Sequence, residues 1–440
     1  MAKNNIKLVN KDGTIVGVDP ETGDEVPIEL DETSITQASV GREYTSARSG
    51  QYVVHSDGST IHVDGPDGSV VSGDWDTLAT ELPKVVDPLD CIVFAEHTFN
   101  PTQTVVFDVP VSLVSRGAEL VTADDSFTYI FKSNVPQPTN DQYARKAVEI
   151  SGFEADLQKG DGQQHGFYMA EGYLSNQSIY NNTIRHFDGE HVLRQNANSH
   201  VWSVYGNSLQ DRGNSSGTRA LVLYSGWSWI AMNDLGGGII SDSTGGTNMF
   251  TLNSIFNSNG GGATLSTDDI FDGNVVTDNG AHGVTVSAGD RDIIISNNQI
   301  TNNSKNSDTP TYSGLQLEST SSDPLIGLSV EGNRIFNKYP LSGDHTGEQA
   351  YGINIDGYLE NSVIDGSNVL YDNASGSINF NSSTLTNTRV EDPIASGRTA
   401  GSSRPSNPYN GMPFFDTSLG QPIWWDDSAG SWVDSTGTSV

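Results

Sequence analysis

Asn253-Ser-Ile255, Asn274-Val-Val276 and Asn298-Gln-Ile300 are one phrase written three times, and that phrase decides the fold. It extends in both directions. Asn182 stands two residues before Ile184, Asn207 before Leu209, Asn233 before Leu235, Asn333 before Ile335 and Asn368 before Leu370. Successive Asn residues are 25, 26, 20, 21, 24, 35 and 35 apart. Recurrence at such a period marks a solenoid. The two long intervals carry insertions at 304–313 and 338–350, and solenoid insertions emerge as loops on one face, often the binding face.

Around each Asn the apolar residues alternate. Leu221 and Leu223, Ala263 and Leu265, Val284 and Val286, Leu315 and Leu317, and Ile353 and Ile355 form a second apolar pair per unit. Ile270, Ile293 to Ile295, Leu328 with Val330, and Val363 with Ile364 form a third. Period-two alternation describes strands with one face buried. Three short strands per unit, joined by Asn, Gly, Asp and Ser turns, predict an all-β chain built on a right-handed parallel β-helix of the pectate-lyase-like kind. No coil of such a helix buries its apolar face alone. The repeated Asn tolerates left-handed corners, and stacked at one corner it predicts a hydrogen-bonded amide ladder.

The flanks read differently. Residues 1–82 are an N-terminal hairpin region, with turns at Asp12-Gly13 and Asp57-Gly58 between alternating residues. Asp64, Asp67 and Asp74 lack the spacing and closing Glu of a calcium loop and read as turn residues. Asp74 to Leu82 is a short amphipathic helix ended by Pro83. The solenoid with its N-terminal cap occupies 83–391, a Gly/Ser/Pro linker 392–407, and an aromatic-rich module 408–440 with Trp424 and Trp425 as its expected core. The hairpin region is thin in apolar residues, so a partner or threefold packing is expected to shelter it.

Composition narrows the function. Asp and Glu number 55 against 22 Lys and Arg, a formal net charge of −33. Nucleic acid is excluded as a partner, because phosphate binding needs a basic face. Acid spread along the whole chain reads either as a strongly solvated surface or, the reading preferred here, as adaptation to a high-salt cytoplasm where salt screens the repulsion. The single cysteine, Cys91, lies in an apolar strand and reads as a packed thiol. No apolar run reaches membrane-spanning length, so no membrane insertion is expected, and Met-Ala-Lys-Asn-Asn lacks a signal-peptide core, which predicts synthesis in a host cytoplasm.

Two kinds of chemistry have candidates. Glycoside cleavage needs a carboxyl pair, one acid and one base or nucleophile. His186-Phe-Asp188-Gly-Glu190-His191 places two carboxylates and two imidazoles in six residues, so Asp188 and Glu190 are the catalytic candidates. Asp268, Asp269 and Asp272 form a second group, and Asp290 and Asp292 beside Arg291 a third. In so acidic a chain such clusters arise freely as solvated turns. His186 and His191 do not make a metal site, and neither a metal nor a cofactor is expected. Sugar binding needs aromatic faces with polar neighbours. Tyr224, Trp227 and Trp229 supply three rings in six residues, an exposed apolar patch or a surface packed on another subunit.

The C-terminal tail carries a recognisable order: Arg404-Pro405, Gly411, Phe415-Asp416-Thr417, Leu419 through Trp425, and Trp432-Val-Asp434. It resembles the short C-terminal module of tail fibres, tailspikes and other receptor-facing proteins of tailed viruses. The resemblance implies a virion surface protein and a homotrimer, fastened to other virion proteins through its N-terminal region. With the acidic composition it implies a virus of a haloarchaeon. The expected activity is attachment to host surface glycan or a glycosylated S-layer. The alternatives are a tailspike polysaccharide hydrolase or lyase and a purely structural decoration.

Overall fold

A computed structural model describes residues 7–11, 14–18, 25–26, 50–122, 127–136, 148–157, 166–187, 191–196, 199–210, 219–242, 246–307, 310–337, 348–391, 400–401, 404, 413–416, 418–426 and 428–440. The chain divides into two units at Ser49/Gly50. In the first, Lys7–Lys11 pairs antiparallel with Thr14–Val18, and Glu25–Val26 adds a third strand. The Asp12-Gly13 turn lies outside the described residues.

The second unit contains the predicted right-handed parallel β-helix. Its coils contribute to three sheets, here face 1 (15 strands), face 2 (11 strands) and face 3 (12 strands). One coil illustrates the path. Ser175–Tyr180 lies on face 1, Thr183–Arg185 on face 2 and Leu193–Gln195 on face 3, before His200–Tyr205 returns to face 1. Each apolar residue that follows a repeated Asn by two enters the core on face 2. Ile184 pairs in register with Leu209, then Leu235, Ile255, Val276, Ile300, Ile335 and Leu370, and all are fully buried. Each such side chain contributes roughly 1.5–3 kcal/mol, and only because its neighbours above and below keep water out.

The predicted ladder is present. Asn182 Nδ2 donates to Asn207 Oδ1 at 2.9 Å, and the same bond recurs through Asn233, Asn253, Asn274, Asn298, Asn333 and Asn368. Each acceptor oxygen also receives the previous Asn backbone N–H, as in Asn253 N to Asn274 Oδ1 at 2.9 Å. A second ladder stands at the face 2–face 3 corner, where Asn279, Asn303, Gln349 and Asn373 are linked amide to amide. At the face 3–face 1 corner, Ser228 N donates to Asn248 Oδ1 and Asn248 N to Asp269 Oδ1.

The solenoid begins earlier than the sequence suggested. Gln51–Ser56 pairs parallel with Cys91–Ala95, so the strands within residues 51–73 extend face 1 instead of belonging to a separate hairpin region. The Asp57-Gly58 hairpin is there, with Val54 opposite Val63. Helix α1, Trp75–Val85, is N-capped by Asp74, whose carboxylate accepts the Thr77 N–H. It buries Trp75, Leu78 and Leu82, and the Trp75 ring meets Phe99 and Phe131 of the first coils. The helix does not stop at Pro83 but runs to Val85. So near the C-terminal end, the ring disrupts only the last turn. Cys91 is half-buried in its strand, where burial chiefly pushes the thiol pKa up, as a packed thiol requires.

The C-terminal sheet runs Ala400–Gly401, Pro413–Asp416, Gln421–Asp426, Ser431–Val433. Ala400–Gly401 pairs with this sheet, so the expected linker is partly structural. Its buried centre is Phe414, Ile423 and Trp432, with Trp425 packed against it. Trp424 is half-buried outside that centre, because alternation along the strand turns Ile423 inward and its two neighbours aside. Arg404 of the motif donates to Asp416 at 2.8 Å, and the Ser418 hydroxyl with Arg404 holds that buried carboxyl down to about 2.

Candidate functional site

A coil turns three times, and most turns among the described residues use a residue with positive φ. At the corner between faces 1 and 2 this residue immediately precedes the ladder Asn: Asn181, Gly206, Gly273, Asn297 and Gly332. Gly, Asn and Asp belong there, since a left-handed backbone costs other residues roughly 1–2 kcal/mol. Two consecutive coils break the rule with Met232 (φ 55°) and Leu252 (φ 56°). At the corner between faces 3 and 1, Asp268, Asp292, Gly327 and Asn361 keep the rule, whereas Val201 (φ 57°) and Trp227 (φ 74°) break it. Leu89 (φ 75°) also breaks it, ahead of the face 1 strand Cys91–Ala95, but the other four exceptions fall on neighbouring coils and bracket one stretch of face 1. Strain gathered in one place, with no packing gain at the strained residues, is a sign of function.

None of the larger exceptions is buried. Trp227 is 68% exposed, Met232 55% and Leu252 65%. Between the two corners, face 1 presents Trp229 (41% exposed) and its register partner Met249 (38%). The Trp227 indole lies across Gly246 of the next coil, where an added Cβ would sit 1.8 Å from the ring. On the preceding coils Tyr180 and Tyr205 stack parallel, with ring centres 4.9 Å apart, and Tyr205 meets Trp229 at 6.0 Å. The result is an apolar and aromatic strip across successive coils. The two coils that carry its centre are also the shortest, with ladder spacings of 20 and 21, which leaves few residues for loops.

Of the sequence candidates, Trp227 and Trp229 lie in this strip. Trp227 is not extended, however, and flanks face 1 from the corner. Tyr224 is separated from them. It follows strand Leu221–Leu223 of face 3, and its ring lies under the Arg194 guanidinium, 5.5 Å from the centroid. Asp188 and Glu190 lie outside the described residues. Their flanking histidines go to different places. His186 takes a left-handed corner and pairs with Asp156 at 2.7 Å, while His191 leads into face 3. Among the described residues, no three His, Cys, Asp or Glu groups converge as metal ligands.

The other acidic groups build corners. Asp269 is fully buried, accepts Ser266 N–H at 2.9 Å and Asn248 N–H at 3.3 Å, and is pushed up to about 7 chiefly by burial. Asp290 accepts Thr267 and Ser287 N–H, and its pKa is likewise raised mainly by burial. Asp268 and Asp292 hold left-handed corner positions next to Asp269 and to the exposed Arg291. Asp272 points outward and accepts from Ser296 and Asn297. Met232, Met249 and Leu252 escaped the sequence reading. For Met232 and Leu252 the signal was present: an apolar residue stands before Asn233 and Asn253 where the other ladder coils have Gly, Asn or Ser.

No protein-family model matches the chain, and no curated protein matches it. Among solved structures it is similar to the A-module of mannuronan C-5 epimerase AlgE6 from Azotobacter vinelandii (14% identity, TM-score 0.44, 69% of this chain and 91% of that one). It is similar to tailspike protein 3 of bacteriophage CBA120 (14% identity, TM-score 0.35, 98% and 83%) and to a tailspike protein of E. coli bacteriophage HK620 (11%, TM-score 0.38, 69% and 73%). Likenesses of this degree concern the fold, so what the molecule does must be argued from its own residues.

Proposed function

We propose that this chain is a surface spike of a tailed virus that attaches the particle to host-cell glycan, with the exposed strip on face 1 as its binding surface. The observation that carries the reading is the run of bulky apolar residues held in left-handed corners on either side of Trp229. An aromatic or apolar face held open to water at the cost of backbone strain suits a ligand with apolar faces and hydroxyl edges, which pyranose rings have. Tyr180, Tyr205 and Trp229 lie on successive coils and so suit a chain of sugars running along the solenoid. The order of motifs from Arg404 to Asp434 supports placement on the virion surface. The N-terminal unit would fasten the spike to other virion proteins, and a homotrimer would shelter the thin flanking regions. The net charge of −33 supports a haloarchaeal host.

The test is retention of the purified full chain on envelopes of haloarchaeal hosts in molar salt, with assay of new reducing or unsaturated sugar ends. Retention without new ends, reduced about tenfold or more in Trp227→Ala/Trp229→Ala, is the expected result. Unchanged retention in that variant refutes the site. New ends would make the molecule a depolymerase. A changed oligomeric state in the variant would make the strip a subunit contact.

A further inference from the structure

Face 3 holds a cluster that the strip on face 1 does not use. Leu193 pairs in register with Leu221, so His191 and Arg219 occupy equivalent positions on adjacent coils, and Val192 N–H donates to the Arg219 carbonyl. Arg194 follows one residue beyond Leu193 and rests on the Tyr224 ring. His191 Nδ1 and Arg194 Nε are buried donor or acceptor atoms with no hydrogen-bond partner. Burial, then the charges of Arg194 and Arg219, push His191 down to about 4, so it stays neutral between two guanidinium groups.

Two arginines lie over aromatic rings, the exposed Arg334 over Phe336 and the half-buried Arg194 over Tyr224, and burial sets Arg194 apart. With 22 basic residues against 55 acidic ones, a carboxylate partner is easily found. Arg185 has Glu154 at 2.9 Å, Arg389 has Glu391 at 2.9 Å and Arg404 has Asp416 at 2.8 Å. Arg194 instead makes no ion pair among the described residues and turns to an aromatic face. A half-buried guanidinium without an anion is costly, and the cost is recovered when an anion arrives. Its planar fork accepts a carboxylate or sulfate through two parallel bonds, and the adjoining Tyr ring offers a face to the sugar that bears it.

We infer that His191, Arg194, Arg219 and Tyr224 form a subsite for an anionic sugar, one carrying a carboxylate or a sulfate. The inference rests on the glycan-binding reading and narrows it to acidic polymers. In so negative a protein a cationic cluster of this kind also selects, because the rest of the surface repels such a polymer.

The test measures binding of the full chain to hyaluronan, dextran sulfate and neutral dextran at constant ionic strength, for the native chain, Arg194→Met and Arg194→Lys. The expected result is that one anionic polymer binds about tenfold or more tighter than dextran, that Arg194→Met abolishes the difference and that Arg194→Lys keeps part of it. Preference for hyaluronan assigns the carboxylate, and preference for dextran sulfate the sulfate. Equal binding of all three polymers, or a preference untouched by Arg194→Met, overturns the subsite. A second readout is independent of face 1. In histidine-labelled protein, added sodium glucuronate or sodium sulfate should raise the His191 pKa, since a bound anion offsets the two guanidinium charges. Should no polymer bind, the face 1 reading is still judged by envelope retention, and this titration decides the subsite: a raised pKa retains it and an unmoved one refutes it.

Discussion

The corner between faces 1 and 2 exists in two versions. In one, Gly206, Gly273, Asn297 and Gly332 turn the chain ahead of a ladder Asn without strain or display. In the other, Met232 and Leu252 make the same turn ahead of the same ladder and hold apolar side chains in water. The inward half of the corner is identical in both, since Asn233 and Asn253 bond like every other rung. The difference shows that the ladder sets the fold and leaves the preceding residue open to other use. A buried rung strong enough to impose the turn permits an unfavourable residue beside it.

Breaking the shared half should have the largest effect. Asn274→Ala removes the acceptor of Asn253 and the donor to the Phe250 carbonyl, leaving buried polar groups without partners. A loss of about 3 kcal/mol or more is expected in denaturant unfolding. A loss below 1 kcal/mol would mean that the ladder does not impose the corner.

Next comes Asp269, which follows Asn248 on the third corner. Its pKa in the fold, about 7, lies above the ordinary aspartate value, mainly through burial. The sign is therefore the reverse of a paired carboxylate. The native state is favoured most below the unfolded pKa of 3.8 and loses stability as pH rises toward 7. Relative to Asp269→Asn, the native chain should weaken by roughly 2–3 kcal/mol between pH 4 and pH 7. Parallel stability curves for the two proteins would sink this account.

A smaller effect tests the outward half. Exchanging the two versions, Met232→Gly or Leu252→Gly should stabilise by about 1 kcal/mol each while weakening glycan retention, and Gly273→Met should destabilise by about 1–2 kcal/mol. If the glycine variants are neither more stable nor weaker in binding, the apolar corners carry no function. Smallest of all, Trp227→Ala should alter unfolding by no more than about 0.5 kcal/mol, since its ring is largely in water. A larger loss would reclassify it as a packing residue.

Much of this fold was legible because its signals are local. Asn before an apolar pair repeats with the coil, and each repetition meets a like neighbour, so one phrase implies both the strand and its stacking partner. The second ladder was not read, because Asn279, Asn303, Gln349 and Asn373 use two residue types and straddle the insertions. The start of the solenoid was misplaced because Gln51–Ser56 pairs parallel with Cys91–Ala95 across a helix, a contact no local pattern announces. At the site, Trp227 and Trp229 could be found as aromatics, but not the division between faces that sends Tyr224 to Arg194. That division depends on where a corner falls. The grouping of Asp188, Glu190 and the two histidines rested on sequence proximity, and a corner separates His186 from His191.

The succession of Tyr180, Tyr205, Trp229 and Met249 on adjacent strands has a kinetic side. Neighbouring strands are about 4.8 Å apart, and the ring centres of the strip follow one another at 4.9 and 6.0 Å. On the proposed reading, a linear polymer displaced by one step would exchange one apolar side chain for the next without leaving the surface. If the strip binds glycan as proposed, attachment would be several weak states in series, and a particle held by it would travel along its anchor before letting go.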